Sequence, residues 1–212
     1  PRDGPSAARV PAAGVPRGGQ GSDVTMVVPF SRIYAAFAAG YLMSYVFRTV
    51  NAMISPELTR ELALQPGALG LLTSTLFMTV AIMKMPAGMR LGRYGLRRGG
   101  PVLLVSAARG AFAFAAADGL TGLTIARALI GLGVSVCLMA PLKGIAVWYS
   151  PQRQASLSGW IMVAGGVGAL AATLPVEFAL RFMGWRTLFV VFGVVTLAVA
   201  AAIAWRVPDL PR

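Results

Sequence analysis

Long apolar runs, broken at near-regular intervals by short polar clusters, dominate the chain from about residue 29 onward. A helix needs about 20 mostly apolar residues to cross a hydrocarbon core of about 30 Å. Six stretches meet that length, and the pattern predicts transmembrane helices over residues 30–54, 67–89, 100–118, 120–148, 157–179 and 186–206. The connections expected between them are Ser55–Pro66, Arg90–Gly99, the Asp118-Gly119 turn, Tyr149–Ser156 and Leu180–Trp185, each punctuated by Gly, Pro or charge. Residues 1–28, rich in Pro, Gly, Ala and Ser, are expected to form a disordered tail ahead of a bundle over 29–206. No apolar signal core precedes Phe30, so no cleaved leader is expected, and Met26 is the expected native start.

Composition agrees with a bilayer as solvent: 57% of the 212 residues are hydrophobic and 12% charged, too apolar for an ordinary soluble domain. The formal charge of +12 raises the question of nucleic acid. The basic residues, however, are scattered between apolar runs and make no basic face with interleaved aromatics, which excludes that class. They are unevenly placed across the membrane. With the amino terminus inside, one side collects Arg32, Arg90, Arg93, Arg97, Arg98, Arg153, Arg206 and Arg212, against Arg60, Arg181 and Arg186 on the other. Basic loops resist translocation, so both termini are expected in the cytoplasm. Histidine is absent and Cys137 stands alone, which leaves neither a disulfide framework nor a Cys/His metal site. Without paired carboxylates at mid-depth or a Gly-x-Ser-x-Gly elbow, the sequence predicts no enzyme and no cofactor.

The most specific segment runs Gly88-Met89-Arg90-Leu91-Gly92-Arg93-Tyr94-Gly95-Leu96-Arg97-Arg98. Gly88 permits close helix approach, Gly95 a tight turn, and the arginines hold the loop at the anionic inner leaflet. The segment resembles the signature between helices 2 and 3 of the major facilitator superfamily. Phe47-Arg48-Thr49-Val50-Asn51 in helix 1, Arg127-Ala128-Leu129-Ile130-Gly131-Leu132-Gly133 in helix 4 and Gly184-Trp185-Arg186 before helix 6 also look like bacterial members. One departure stands out: the acidic position of the family's loop is Gly92 here, which puts the latch formed there in doubt. The resemblance implies an all-α polytopic membrane protein, six helices arranged as an inverted three-plus-three repeat, forming the amino-terminal half of a transporter. Similar turns at Arg93-Tyr94-Gly95-Leu96-Arg97 and Arg181-Phe182-Met183-Gly184-Trp185-Arg186, three helices apart, fit such a repeat. Residues 207–212 would begin the central cytoplasmic linker, with a second six-helix half, or a second copy, as partner. The implied activity is secondary transport of a small solute across a bacterial inner membrane by alternating access. The alternative is a non-transporting subunit or a degenerate half.

Charge at bilayer depth costs at least about 2.5–3.5 kcal/mol, so intramembrane cations need a partner or an aqueous cavity. On helix 1 the spacing places Tyr34, Tyr41, Tyr45 and Arg48 on one stripe with Ser44 and Asn51 at its edge. That face suits a solute path, or an interfacial aromatic belt with a snorkelling arginine. Lys84, Arg109, Arg127 and Lys143 complete the candidate path residues. Lys84 lies near enough to the inner surface to snorkel, and Arg109 near the middle of helix 3. Lys143 follows Pro141, whose missing N–H should open helix 4. On a regular helix Lys143 would lie opposite Arg127. Gly88, Gly92, Arg93, Gly95, Arg97 and Arg98 are the candidate gating loop, and Gly159, Gly165, Gly166 and Gly168 in helix 5 mark a close packing surface, expected toward the opposite half. Glu57, Glu61, Asp118 and Glu177 all fall at outer ends, so the excess of deep cations points to an anionic solute.

Overall fold

The computed structural model describes residues 30–206, with the side chains of 30–33, 90, 92–98, 148 and 174 outside the described set. The expected tail at 1–28 and the expected linker at 207–212 lie outside it too. Everything described is helix or short turn. The elements are α1 (Phe30–Leu62), α2 (Pro66–Ala116), α3 (Leu120–Val134), α4 (Met139–Trp148), α5 (Pro151–Ala171), α6 (Leu174–Phe182) and α7 (Trp185–Arg206).

Although α2 is helical throughout its backbone, it cannot be one straight rod. The carbonyl of Leu76 would lie 2.8 Å from a Cβ at Gly131, and Ala107 packs against the neighbouring Gly133. A straight helix would hold residues 76 and 107 about 46 Å apart at 1.5 Å per residue. The chain therefore folds back between two limbs, 66–89 and 99–116, that share the surface of α3. Both limbs can come so close because Gly131 and Gly133 present only hydrogen to them. Close backbone approach of this kind is how helices associate where lipid is as apolar as the side chains.

Two further passages are each built from two helices. α3 gives way to α4 across Ser135–Leu138, where Cys137 N–H turns back to the Val134 carbonyl at 3.1 Å. Pro141, in the first turn of α4, has no N–H to offer the Cys137 carbonyl one turn earlier, so the expected opening is there. Pro175 likewise lies in the first turn of α6, just after the break at Ala172 and Thr173. Six passages result: α1, the two limbs of α2, α3–α4, α5–α6 and α7. Five of these are long and apolar enough to cross a membrane. α1 has the length, 33 residues, but its Tyr, Ser, Arg, Thr and Asn side chains dilute the apolar run.

α1 packs on α5 and α7, and the limbs of α2 on α3 and α7. At the centre Phe47, Phe114, Phe189 and Phe192 make an aromatic cluster, with Phe114 and Phe189 stacked at 4.2 Å between centroids. The least enclosed passages are the first limb of α2 and α5–α6. The expected connection Arg90–Gly99 is helical backbone within α2, and two expected helix boundaries also differ. Helix 1 continues eight residues past 54, through Pro56, and the fifth helix begins at Pro151 in place of 157. Both extensions are polar, and an apolar-run criterion sees membrane depth, not helix.

Candidate functional site

Positions 41, 45 and 48 of α1 recur at four- and three-residue spacing and so share a face. α5 closes over that face. A Cβ at Gly165 would lie 2.5 Å from Tyr41 and 2.8 Å from Tyr45, so only glycine lets the two rings sit there. The rings meet edge to face at 5.1 Å, and the Tyr41 hydroxyl donates to the Tyr45 hydroxyl at 3.4 Å with the Met162 sulfur 3.7 Å away. The Arg48 guanidinium lies 5.3 Å over the Tyr45 ring. It is also within electrostatic reach of Tyr41 and of Cys137 in the α3–α4 break. Arg48 is half-buried, its Nε is enclosed without a hydrogen-bond partner, and none of the described ion pairs includes it. A half-open guanidinium with unspent donors, flanked by phenols, has the fork that takes a carboxylate or phosphate oxygen pair.

Arg127 and Asn51, expected on the same path, are instead withdrawn into the bundle, 1% and 5% exposed. Arg127 donates from Nη2 to Asn51 Oδ1 at 2.6 Å and from Nη1 to the Phe47 carbonyl at 3.0 Å. Its guanidinium lies over the rings of Phe114 at 4.6 Å and Phe189 at 5.5 Å. The Asn51 amide N–H donates in turn to Thr73 Oγ1 at 2.6 Å, so one polar chain ties α3, α1 and α2 together. Enclosure among apolar side chains makes every link count, since a buried polar group without a partner costs about 1–3 kcal/mol.

Lys84, Lys143 and Arg109 join neither cluster in any described contact. Lys84 is exposed on the first limb of α2, and Lys143 is half-buried in α4. Arg109 is exposed on the second limb of α2, on the same outward stripe as Val102. Of the gating loop, Gly88 packs near Met139. Its backbone continues as helix, while the side chains at 92–98, with Gly92, Arg93, Gly95, Arg97 and Arg98, lie outside the described residues. The helix-5 glycines divide. Gly165 and Gly168 meet α1, the latter 2.6 Å from the Leu42 carbonyl as a Cβ would see it, while Gly159 and Gly166 face open space. The expected packing surface is thus partly spent inside this half.

A cluster at the other end of α1 escaped the sequence reading. Arg186 donates to Glu61 at 3.3 Å, to Asp118 at 3.1 Å and to the carbonyls of Ala115 and Ala117 at 3.0 and 3.1 Å. Its guanidinium stacks 4.5 Å over Trp185, whose indole N–H donates to Glu61 at 2.5 Å. The signal was present, since an up-down chain must bring the end of α1, the Asp118 turn and the start of α7 to one face.

Comparison with known proteins accords with this geometry. The chain is 25% identical over 173 residues to a hexuronate transporter of Escherichia coli (strain K12), covering 82% of this chain and 40% of the relative. It is 23% identical over 166 residues to a galacturonate transporter of Dickeya chrysanthemi, covering 78% and 48%. The chain thus spans less than half the length of these curated relatives. Its fold superposes on the inward-facing, unoccupied crystal structure of a bacterial homologue of the human lysosomal transporter Spinster, with a TM-score of 0.77 at 20% identity, over 91% of this chain and 45% of that one. The family model of the Major Facilitator Superfamily matches residues 37–212, taking in the Arg48, Arg127 and Arg186 sites and every passage after the start of α1. This chain, an integral membrane helical bundle, belongs to the Major Facilitator Superfamily.

Proposed function

We propose that the chain is the six-passage half of a secondary transporter that moves a small organic anion of the sugar-acid class across a bacterial inner membrane, with Arg48 binding the solute carboxylate. The single observation carrying this reading is the half-open Arg48 guanidinium, stacked on Tyr45 and free of any described carboxylate partner. A cation held at depth without a counter-ion is costly. An anionic solute that completes the pair recovers that cost, so the site discriminates by charge before it discriminates by shape. Tyr41 and Tyr45 offer phenol groups to the hydroxyls of such a solute, and the α3–α4 break beside Arg48 adds backbone polarity at the same depth. The two curated relatives are named for uronates, sugars bearing a carboxylate, which fits the same chemistry.

On this reading a second six-helix half, or a second copy, covers the open faces of α5 and the first limb of α2, and the solute is exchanged between the sides by rocking of the halves. Lys143 and Lys84 would then lie along the route toward the inner surface, and both termini would be cytoplasmic. The test is uptake by the full-length protein in proteoliposomes. D-galacturonate uptake should saturate, should be competed by other sugar acids, and should not be competed by D-galactose. Equal competition by the neutral sugar would reject the reading.

A further inference from the structure

We propose that Arg127 is a specificity determinant that never touches the solute: its buried positive charge, left without a carboxylate, biases the Arg48 site toward anions. The proposal rests on the anion reading of Arg48 and deepens it.

Three features place the charge and leave it uncompensated. The oxygens that Arg127 engages are neutral, the Phe47 carbonyl and the Asn51 side-chain carbonyl, and its flanking groups are the rings of Phe114 and Phe189. None of the described ion pairs includes it, and its Nε has no partner. Finally, one of its two anchoring bonds runs from α3 to the carbonyl of the residue directly before Arg48, so the Arg127 guanidinium lies against the turn of α1 that carries Arg48. Neutral acceptors and ring faces stabilise a guanidinium without cancelling its field. With the solute on the order of 10 Å away and an effective dielectric of about 20, one unit charge shifts the affinity for a monovalent anion by roughly tenfold. A purely structural arginine would have been served as well by a carboxylate, which would bind it more strongly and neutralise it.

Asn51 offers the decisive substitution. Its amide N–H is committed to Thr73, which points its oxygen at Arg127. Asn51→Asp puts a carboxylate in the same place, which holds Arg127 at least as firmly but cancels its charge; the Thr73 hydroxyl, which donates to the Leu69 carbonyl in the wild type, turns to donate to it in place of the lost amide N–H. In the full-length protein reconstituted into vesicles, N51D should raise the KM for D-galacturonate by about tenfold, with no fall in Tm and little change in maximal rate. Arg127→Lys, which keeps the charge, should stay within about threefold of the wild type, and Arg127→Met should resemble N51D. A folded N51D with an unchanged KM would overturn the proposal, as would Arg127→Lys behaving like Arg127→Met. Should N51D fail to fold, the Lys and Met variants decide the question alone. Arg48→Ala separates the two layers of the argument: if it leaves the galacturonate KM untouched, the anion site itself is misassigned. If it abolishes uptake while N51D and both Arg127 variants match the wild type, only the role of Arg127 fails.

Discussion

Arginine is used in two opposite ways at the two levels of this bundle. At the end of the bundle where α1 finishes, Arg186 is saturated by two carboxylates, two backbone carbonyls and an indole face. Within the bundle Arg48 has the Tyr45 ring, and Arg127 two rings and two neutral oxygens, and neither has a described carboxylate. The first arrangement consumes the charge and joins the ends of α1, the Asp118 turn and α7. The second conserves it inside the bundle, on one buried and one half-buried side chain. A cation that has neutralised its field can only hold structure, whereas one that has not can act on a ligand.

The contrast predicts which substitutions move transport and which move stability. Arg48→Ala should have the largest effect, lowering galacturonate uptake, as kcat/KM, by about 100-fold or more, roughly 2.7 kcal/mol, with Tm unchanged. Arg186→Ala should do the reverse. It strands the Ala115 and Ala117 carbonyls and breaks two partly exposed ion pairs, for a loss of about 2 kcal/mol in stability, with the KM of the folded fraction preserved. Tyr45→Phe removes the acceptor of the weak Tyr41 hydroxyl bond but keeps the ring under Arg48, so a rise in KM of about two- to fivefold is expected. Glu61→Gln should be mildest. The side-chain oxygen still serves Trp185, and only an exposed ion pair is lost, about 0.5 kcal/mol and less in high salt. A transport defect in Arg186→Ala larger than that in Arg48→Ala would erase the distinction.

Much of this was legible in the chain itself, and what was not has a physical cause. Apolar runs fixed the passages because the bilayer sets their length, and the proline at 141 marked the opening of the fourth. The helix-1 stripe emerged from spacing alone, since Tyr41, Tyr45 and Arg48 share a face of any α-helix. Spacing does not say which face meets a neighbour. Asn51 and Arg127 therefore read as path residues, although α1 and α3 turn them toward each other and away from the Tyr45 face. Their enclosure by Phe114 and Phe189 depends on α2 and α7, far off in sequence. The helix-5 glycines were expected to face the opposite half, whereas Gly165 and Gly168 meet α1, which is a fact of the tertiary arrangement.

The most direct measurement is equilibrium binding of D-galacturonate and of D-galactose to the purified full-length protein and to Arg48→Ala, by calorimetry in detergent. Wild-type protein should bind the uronate and discriminate against the neutral sugar by at least tenfold, a preference that Arg48→Ala abolishes. Equal affinity of wild type for the two sugars, or an undiminished preference in Arg48→Ala, would contradict the assignment of Arg48 as the carboxylate site.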